Sequence, residues 1–286
     1  MACTSTGGAT VNLPRSFPVT MDQPPTQMSV SAQRWEEGLL SQSNENVATE
    51  TALALHYNHR PHMVVMLTPQ DIEEFVLGFS LSEGILHSSD ELQGVRMRTL
   101  ADGLECDAAI ALERYAELDA HQRRLASRSG CGVCGAETLG QAVRSLPPVP
   151  DTVRMTHAAL QAAMGELAQR QPLNAATGAV HAAAWVDTDG NICLVREDVG
   201  RHNALDKLIG ALSRAGLHTD RGALLLTSRA SHEMVQKAAA LGMQIVCAIS
   251  APTSLAIRQA QQTRVTLVGF ARGARHTIYT HPHRLT

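Results

Sequence analysis

The chain has 286 residues, of which 44% are hydrophobic and only 3% aromatic, and a formal net charge of −3. Its length allows one large domain or two smaller ones, with Leu, Val, Ile and Ala supplying the core. The charge argues against a nucleic-acid binder with a dominant basic surface, and no apolar run is long enough to span a bilayer.

Residues 1 to about 30 are rich in Thr, Ser, Pro and Gln and lack periodicity, which predicts a disordered tail. Residues 47–67 read as two strands joined near Asn58 and Pro61. Ile72, Phe75, Val76 and Phe79 recur at helical spacing within 71–86. Residues 94–112 alternate weakly, as two further strands would, and the charged segment 113–129 leads into a cysteine motif. Pro147, Pro148 and Pro150 mark a linker or turn. A helix is predicted over 156–170 and a hairpin over 181–196, turning at Asp187-Thr188-Asp189-Gly190. Beyond it, helices over 203–212, 233–241 and 254–261 alternate with strands over 223–227, 244–249 and 265–270. That alternation predicts an α/β fold with a largely parallel sheet.

The sequence Gly130-Cys131-Gly132-Val133-Cys134-Gly135 follows Arg128. Thiolate is the reactive form of cysteine, and basic neighbours favour it. Flanking glycines free the backbone and let a partner approach. The match to G-x-G-x-x-G lacks the apolar strand that a dinucleotide site requires. A structural zinc site needs four ligands, and there is one C-x-x-C only. A thioredoxin-like pair would have a strand just before it. An incidental turn and a sulfur-handling loop both remain open on these residues alone. Cys106, Cys193 and Cys247 lie in apolar or alternating runs, where a small buried hydrophobe is expected. Six cysteines in a chain of this length do not make a disulfide scaffold, and no signal segment is apparent, so a reducing cytoplasm is the expected compartment. His181-Ala182-Ala183 has the place of a zinc deaminase H-x-E, but position 183 is alanine, and the cysteine pair precedes the histidine. No metal site is expected.

In an open α/β sheet, ligands bind beyond the carboxyl ends of the strands. Those ends carry 197–203, with Arg201 and His202; 228–231, with Ser228 and Arg229; 250–253; and Ala271-Arg272-Gly273-Ala274-Arg275. Helix starts, arginines and glycine turns suit a phosphate-bearing ligand. For any single loop, a plain helix cap is the commoner reading. His232 is a secondary candidate; Asp198 reads as a cap, Asp206 and Lys207 as helix-surface charges, and Glu83 as a residue of a last helical turn.

Seven motifs, TALALHYN (51–58), LGFSLSEGIL (77–86), CGVCG (131–135), TGAVHAAAW (177–185), EDVGRHNALDKLIG (197–210), TSRASHEMVQKAA (227–239) and VGFARGARHTIYTHPHRL (268–285), occur in this order. Together they resemble the formate dehydrogenase accessory sulfurtransferases, the FdhD family, from about Thr51 to the C-terminus. The resemblance implies a cytidine-deaminase-like three-layer core with a mixed, largely parallel sheet over 151–286 and a smaller N-terminal α+β part over 31–150 that ends in the thiol loop. It implies a homodimer and a sulfur carrier that takes persulfide sulfur from a cysteine desulfurase. The sulfur passes to a molybdenum bis(molybdopterin guanine dinucleotide) cofactor destined for the formate dehydrogenase catalytic subunit. Cys131 would carry the persulfide with Cys134 as companion, and Phe270 to Arg275 would bind the cofactor. The alternative is a non-catalytic carrier of the finished cofactor. Neither nucleic acid nor membrane is expected as a partner.

Overall fold

The computed structural model of the protein describes residues 24–126 and 145–286. The thiol loop with Cys131 and Cys134, and most of the expected tail, lie outside the described residues. The tail ends sooner than predicted, because strand β1 (Gln27–Glu36) forms an antiparallel ribbon with β2 (Leu39–Ala48). Glu37 and Gly38 turn the ribbon with φ of 49° and 87°. Positive φ at both central residues is the two-residue hairpin geometry that matches strand twist.

Four strands follow: β3 (Thr51–Tyr57), β4 (Arg60–Leu67), β5 (Leu92–Leu100) and β6 (Gly103–Ile110). They form one sheet in the order β4-β3-β6-β5. Leu53, Leu55 and Tyr57 alternate inward along β3 and pack with Ile72, Phe75 and Val76 of helix α1 (Ile72–Ser82). Helix α2 (Leu112–Ala126) occupies the charged segment that precedes the thiol loop.

The remaining elements make a three-layer unit. They are α3 (His157–Leu167), α4 (Pro172–Thr177), β7 (His181–Asp187), β8 (Ile192–Asp198), α5 (Arg201–Arg214), β9 (Gly222–Leu226), α6 (His232–Ala240), β10 (Ile245–Ala248), α7 (Ser254–Thr263), β11 (Thr266–Arg272) and β12 (Arg275–Thr280). The sheet order is β12-β11-β10-β9-β7-β8. Period-2 alternation splits each strand between two cores. Leu224, Leu226, Val246 and Leu267 face α5, α6 and α7; Ala223, Leu225, Ile245 and Val268 face α3.

The sheet is mixed, as expected, but not largely parallel. Only β9–β10 and β10–β11 run parallel; β7–β8, β7–β9 and β11–β12 are antiparallel. The reason is local: hairpins at both flanks need no crossover helix. Strand β12 was hidden in the sequence because its exposed and half-buried residues mix without a run of apolar ones. The prolines at 147–150 are no free linker either: Val149 is buried, and its N–H donates to the Thr263 carbonyl at 2.8 Å.

The two parts meet where α1 crosses α5. A Cβ on Gly78 would collide with the Asp206 carbonyl, and one on Gly210 with the Glu74 carbonyl. Two glycines thus set how closely the backbones approach. Among the described residues, no helix is long and apolar enough to cross a membrane.

Candidate active site

Strands β8, β9, β10 and β11 all point the same way, so their carboxyl ends share one sheet edge. Four loops converge there: 199–200 before α5, 227–231 before α6, 249–253 before α7, and the 272–275 turn between β11 and β12. Backbone hydrogen bonds tie the 227–231 and 249–253 loops to each other and to strands β7 and β11. Thr227 N–H donates to Ala182 O at 3.1 Å, Thr253 N–H to Ala230 O at 3.1 Å, and Phe270 N–H to Ser250 O at 3.1 Å.

Asp198 builds the first loop. Its carboxylate accepts from the N–H groups of Gly200 (2.8 Å) and Thr68 (3.0 Å) and from Asn203 Nδ2 (2.9 Å). It also pairs with Lys207 at 2.6 Å, where both side chains are fully buried. Asp198 is therefore not the predicted helix cap, since the N-cap is Gly200 without a side-chain cap hydrogen bond, and Lys207 is no surface charge. Asp206 is buried too and accepts from Lys237 at 3.0 Å and from Ser82 at 2.7 Å. Both charges sit inside because α1 covers the face of α5 that the sheet leaves open. Glu83, at the end of α1, accepts from Lys237 at 2.6 Å.

The predicted ligand residues reach the edge in different ways. Arg201 and His202 open α5, half-buried, and His202 Nε2 lies 2.7 Å from Glu233 at the start of α6. Burial opposes the charge on Glu233, but the His202 hydrogen bond and the nearby His232 and Arg201 hold its carboxyl below the usual range. Arg201 Nε is buried without a hydrogen-bond partner among the described residues. Ser228 is buried and donates to Arg229 O at 3.0 Å, while Arg229 is exposed. Arg272, Gly273, Ala274 and Arg275 are exposed at a hairpin tip, so the segment read as a loop is a strand end and a tight turn. Ala271 points its methyl into the core and offers the edge only its backbone. Phe270 holds φ of 53° next to Gly269, where a Cβ would press on Pro252 Cδ at 2.8 Å. Strain in a bulky residue at a strand end marks a place where the fold dictates the conformation. Thr253 is an ordinary cap: its Oγ1 accepts from Ala256 N–H at 3.2 Å.

Sequence reasoning gave His181 no ligand role. It opens β7 opposite Asp198 in the same edge, and burial together with the Arg201 charge holds its imidazole below 6.5. Its antiparallel strand brings the amino end, not the carboxyl end, to the edge. His202, His232, Glu233 and Lys237 also line a cleft of about 410 Å³ floored by Phe75 and Phe79.

The two free thiols among the described residues are poor nucleophiles. Cys106 and Cys247 are fully buried, as expected; burial pushes the Cys106 thiol up to about 12 and raises Cys247 as well. Cys193 is neither buried nor a free thiol: it is partly exposed and disulfide-bonded, unlike the small buried hydrophobe its sequence run suggests.

The FdhD/NarQ family profile matches residues 48–286. The chain belongs to the FdhD/NarQ family. It is 47% identical over 263 residues to the sulfur carrier protein FdhD of Cupriavidus necator, covering 92% of this chain and 91% of that protein. The protein of the same name from Xanthomonas euvesicatoria is 47% identical over 255 residues, covering 89% and 91%. A crystal structure of a proposed formate dehydrogenase accessory protein from Desulfotalea psychrophila has a similar fold. It superposes with a TM-score of 0.71 at 24% identity, covering 92% of this chain and all of the other.

Proposed function

We propose that this protein is a sulfur carrier for formate dehydrogenase maturation, acting as a sulfurtransferase in the cytoplasm. Its relatives bear that name, and one observation in the structure supports the chemistry. Arg201, Arg229, Arg272 and Arg275 share a sheet edge with the amino termini of α5, α6 and α7. Free N–H groups, partial positive charge and guanidinium forks are what phosphate and pyrophosphate groups bind. A molybdenum bis(molybdopterin guanine dinucleotide) carries two pyrophosphates, so these residues fit it as cargo. Phe270 to Arg275, Ser228, Arg229, Arg201 and His202 would hold it. The three-layer core is read as cytidine-deaminase-like.

The sulfur step is assigned to Cys131. Its thiolate attacks the outer sulfur of a desulfurase persulfide; the donor's S–S bond breaks, the donor leaves as thiolate, and Cys131 holds the S–SH group. Release as sulfide needs two electrons. Cys134 supplies them by attacking Cys131 Sγ, which expels HS⁻ and leaves a Cys131–Cys134 disulfide for cellular thiols to reduce.

The test is maturation of formate dehydrogenase with Cys131→Ala and Cys134→Ala. Loss of active enzyme with cofactor binding retained in Cys131→Ala supports sulfur transfer. Full maturation by Cys131→Ala would leave the non-catalytic carrier.

A further inference from the structure

Glu233 is a carboxylate set among the arginines of the sheet edge. It is the second residue of α6, whose amino terminus opens on that edge beside Arg201. An acid in a first helical turn is ordinarily explained by the helix dipole. The contacts of Glu233 point elsewhere. Its Oε2 lies 2.7 Å from His202 Nε2 and 3.9 Å from the Arg201 guanidinium, and accepts from the Ser231 hydroxyl at 3.4 Å. Arg201 and His202 are the first two residues of α5, so the side chain reaches across to the neighbouring helix.

These three side chains keep contact with water: 45% of Glu233, 34% of His202 and 30% of Arg201 is exposed. Ion pairs of such exposure add little to stability. Their effect is on conformation, because a free arginine side chain spreads over many rotamers and a held one does not. Arg201 also carries an independent sign of a ligand. Its Nε is buried and has no hydrogen-bond partner among the described residues. Buried polar groups are nearly always paired, and a phosphate oxygen is the acceptor that a guanidinium fork matches.

We propose that Glu233 is a positioning residue for the phosphate end of the cargo. It holds Arg201 and His202 at the edge, and those two side chains meet the pyrophosphate while Glu233 touches none of it. This rests on the reading of the edge as a phosphate site and adds to it a residue of the wrong charge. Two effects then oppose each other. A carboxylate about 7 Å from a bound anion repels it in water by about twofold to threefold in affinity per unit charge. Ordering a donor for a charge-assisted hydrogen bond is worth about tenfold or more. Ordering therefore wins, and the sign of the effect of removing Glu233 is diagnostic.

The test is calorimetric titration of the full chain with inorganic pyrophosphate. It compares the wild type, Glu233→Ala, Glu233→Gln, Arg201→Ala and the double variant Glu233→Ala/Arg201→Ala, with thermal melts to check that each folds. Glu233→Ala should bind about tenfold more weakly although it removes a negative charge. Glu233→Gln keeps an acceptor for His202 and should recover part of that loss. In the Arg201→Ala background, Glu233→Ala should weaken binding by less than about threefold, because most of what Glu233 orders is gone. Unchanged or tighter binding by Glu233→Ala, or an equal loss with and without Arg201, would overturn the inference and leave the phosphate site standing. A wild type that does not bind pyrophosphate would overturn both.

Discussion

Lys207 Nζ lies 2.6 Å from the Asp198 carboxylate with neither side chain exposed, and donates to the Thr68 carbonyl at 2.9 Å. This pair ties helix α5, the end of β8 and the segment after β4 at one point. Removing one partner of a buried pair leaves an uncompensated charge, at a cost of about 3–5 kcal/mol. Lys207→Met is expected to lose about that much in urea unfolding, with part recovered in Lys207→Met/Asp198→Asn. A loss under about 1 kcal/mol, the range of exposed pairs, would contradict the burial.

The crossing of α1 and α5 gives a second prediction. Alanine is the better helix former by about 1 kcal/mol, yet Gly78→Ala is expected to destabilise, because its Cβ meets the Asp206 carbonyl. Overpacking costs about 1–3 kcal/mol or more, so the melting temperature should fall. A rise would mean the helices have room.

His181 should titrate below its ordinary value. Burial disfavours the charged ring and Arg201 repels it. The native state then binds fewer protons than the unfolded one, so this group lowers stability as pH falls from about 6.5 toward the folded value, with no slope outside that window. NMR titration of the ring protons should show this, and Arg201→Ala should move the midpoint up without restoring it fully. A midpoint at or above 6.5 in the wild type would contradict the geometry.

Much of this was legible in the sequence, and the gaps have physical causes. The β7–β8 hairpin announced itself through its turn residues, although β7 is buried on both faces, and helix α1 through its helical spacing. The β1–β2 ribbon went unread because it buries neither face, so no apolar period marks it. Asp206 and Lys207 read as surface charges because a helix sequence shows its own stripe but not that a second helix, α1, covers the opposite side. The sheet edge proposed to bind the ligand was read from strand ends, and His181's place in it was missed because it enters on an antiparallel strand. The hairpin at 272–275 looked like a loop, since arginines and glycine conceal the pairing of Arg272 with Arg275.

The proposed cofactor edge can be tested with guanosine diphosphate, a fragment of the proposed cargo. Charge-assisted hydrogen bonds contribute about 1.5–3 kcal/mol, so Arg272→Ala/Arg275→Ala should weaken binding by about tenfold or more. Calorimetry should show the loss together with a shallower salt dependence. Arg221→Ala, exposed before β9 at the opposite edge, should bind unchanged. Equal losses in both would mean a diffuse charge effect rather than a site.

The central claim is that Cys131 carries sulfur, and intact-protein mass spectrometry after incubation with a cysteine desulfurase and cysteine tests it most directly. The wild type should gain one sulfur atom that reduction removes, and Cys131→Ala should gain none. No gain with a competent donor, or a gain that survives Cys131→Ala, would contradict the account.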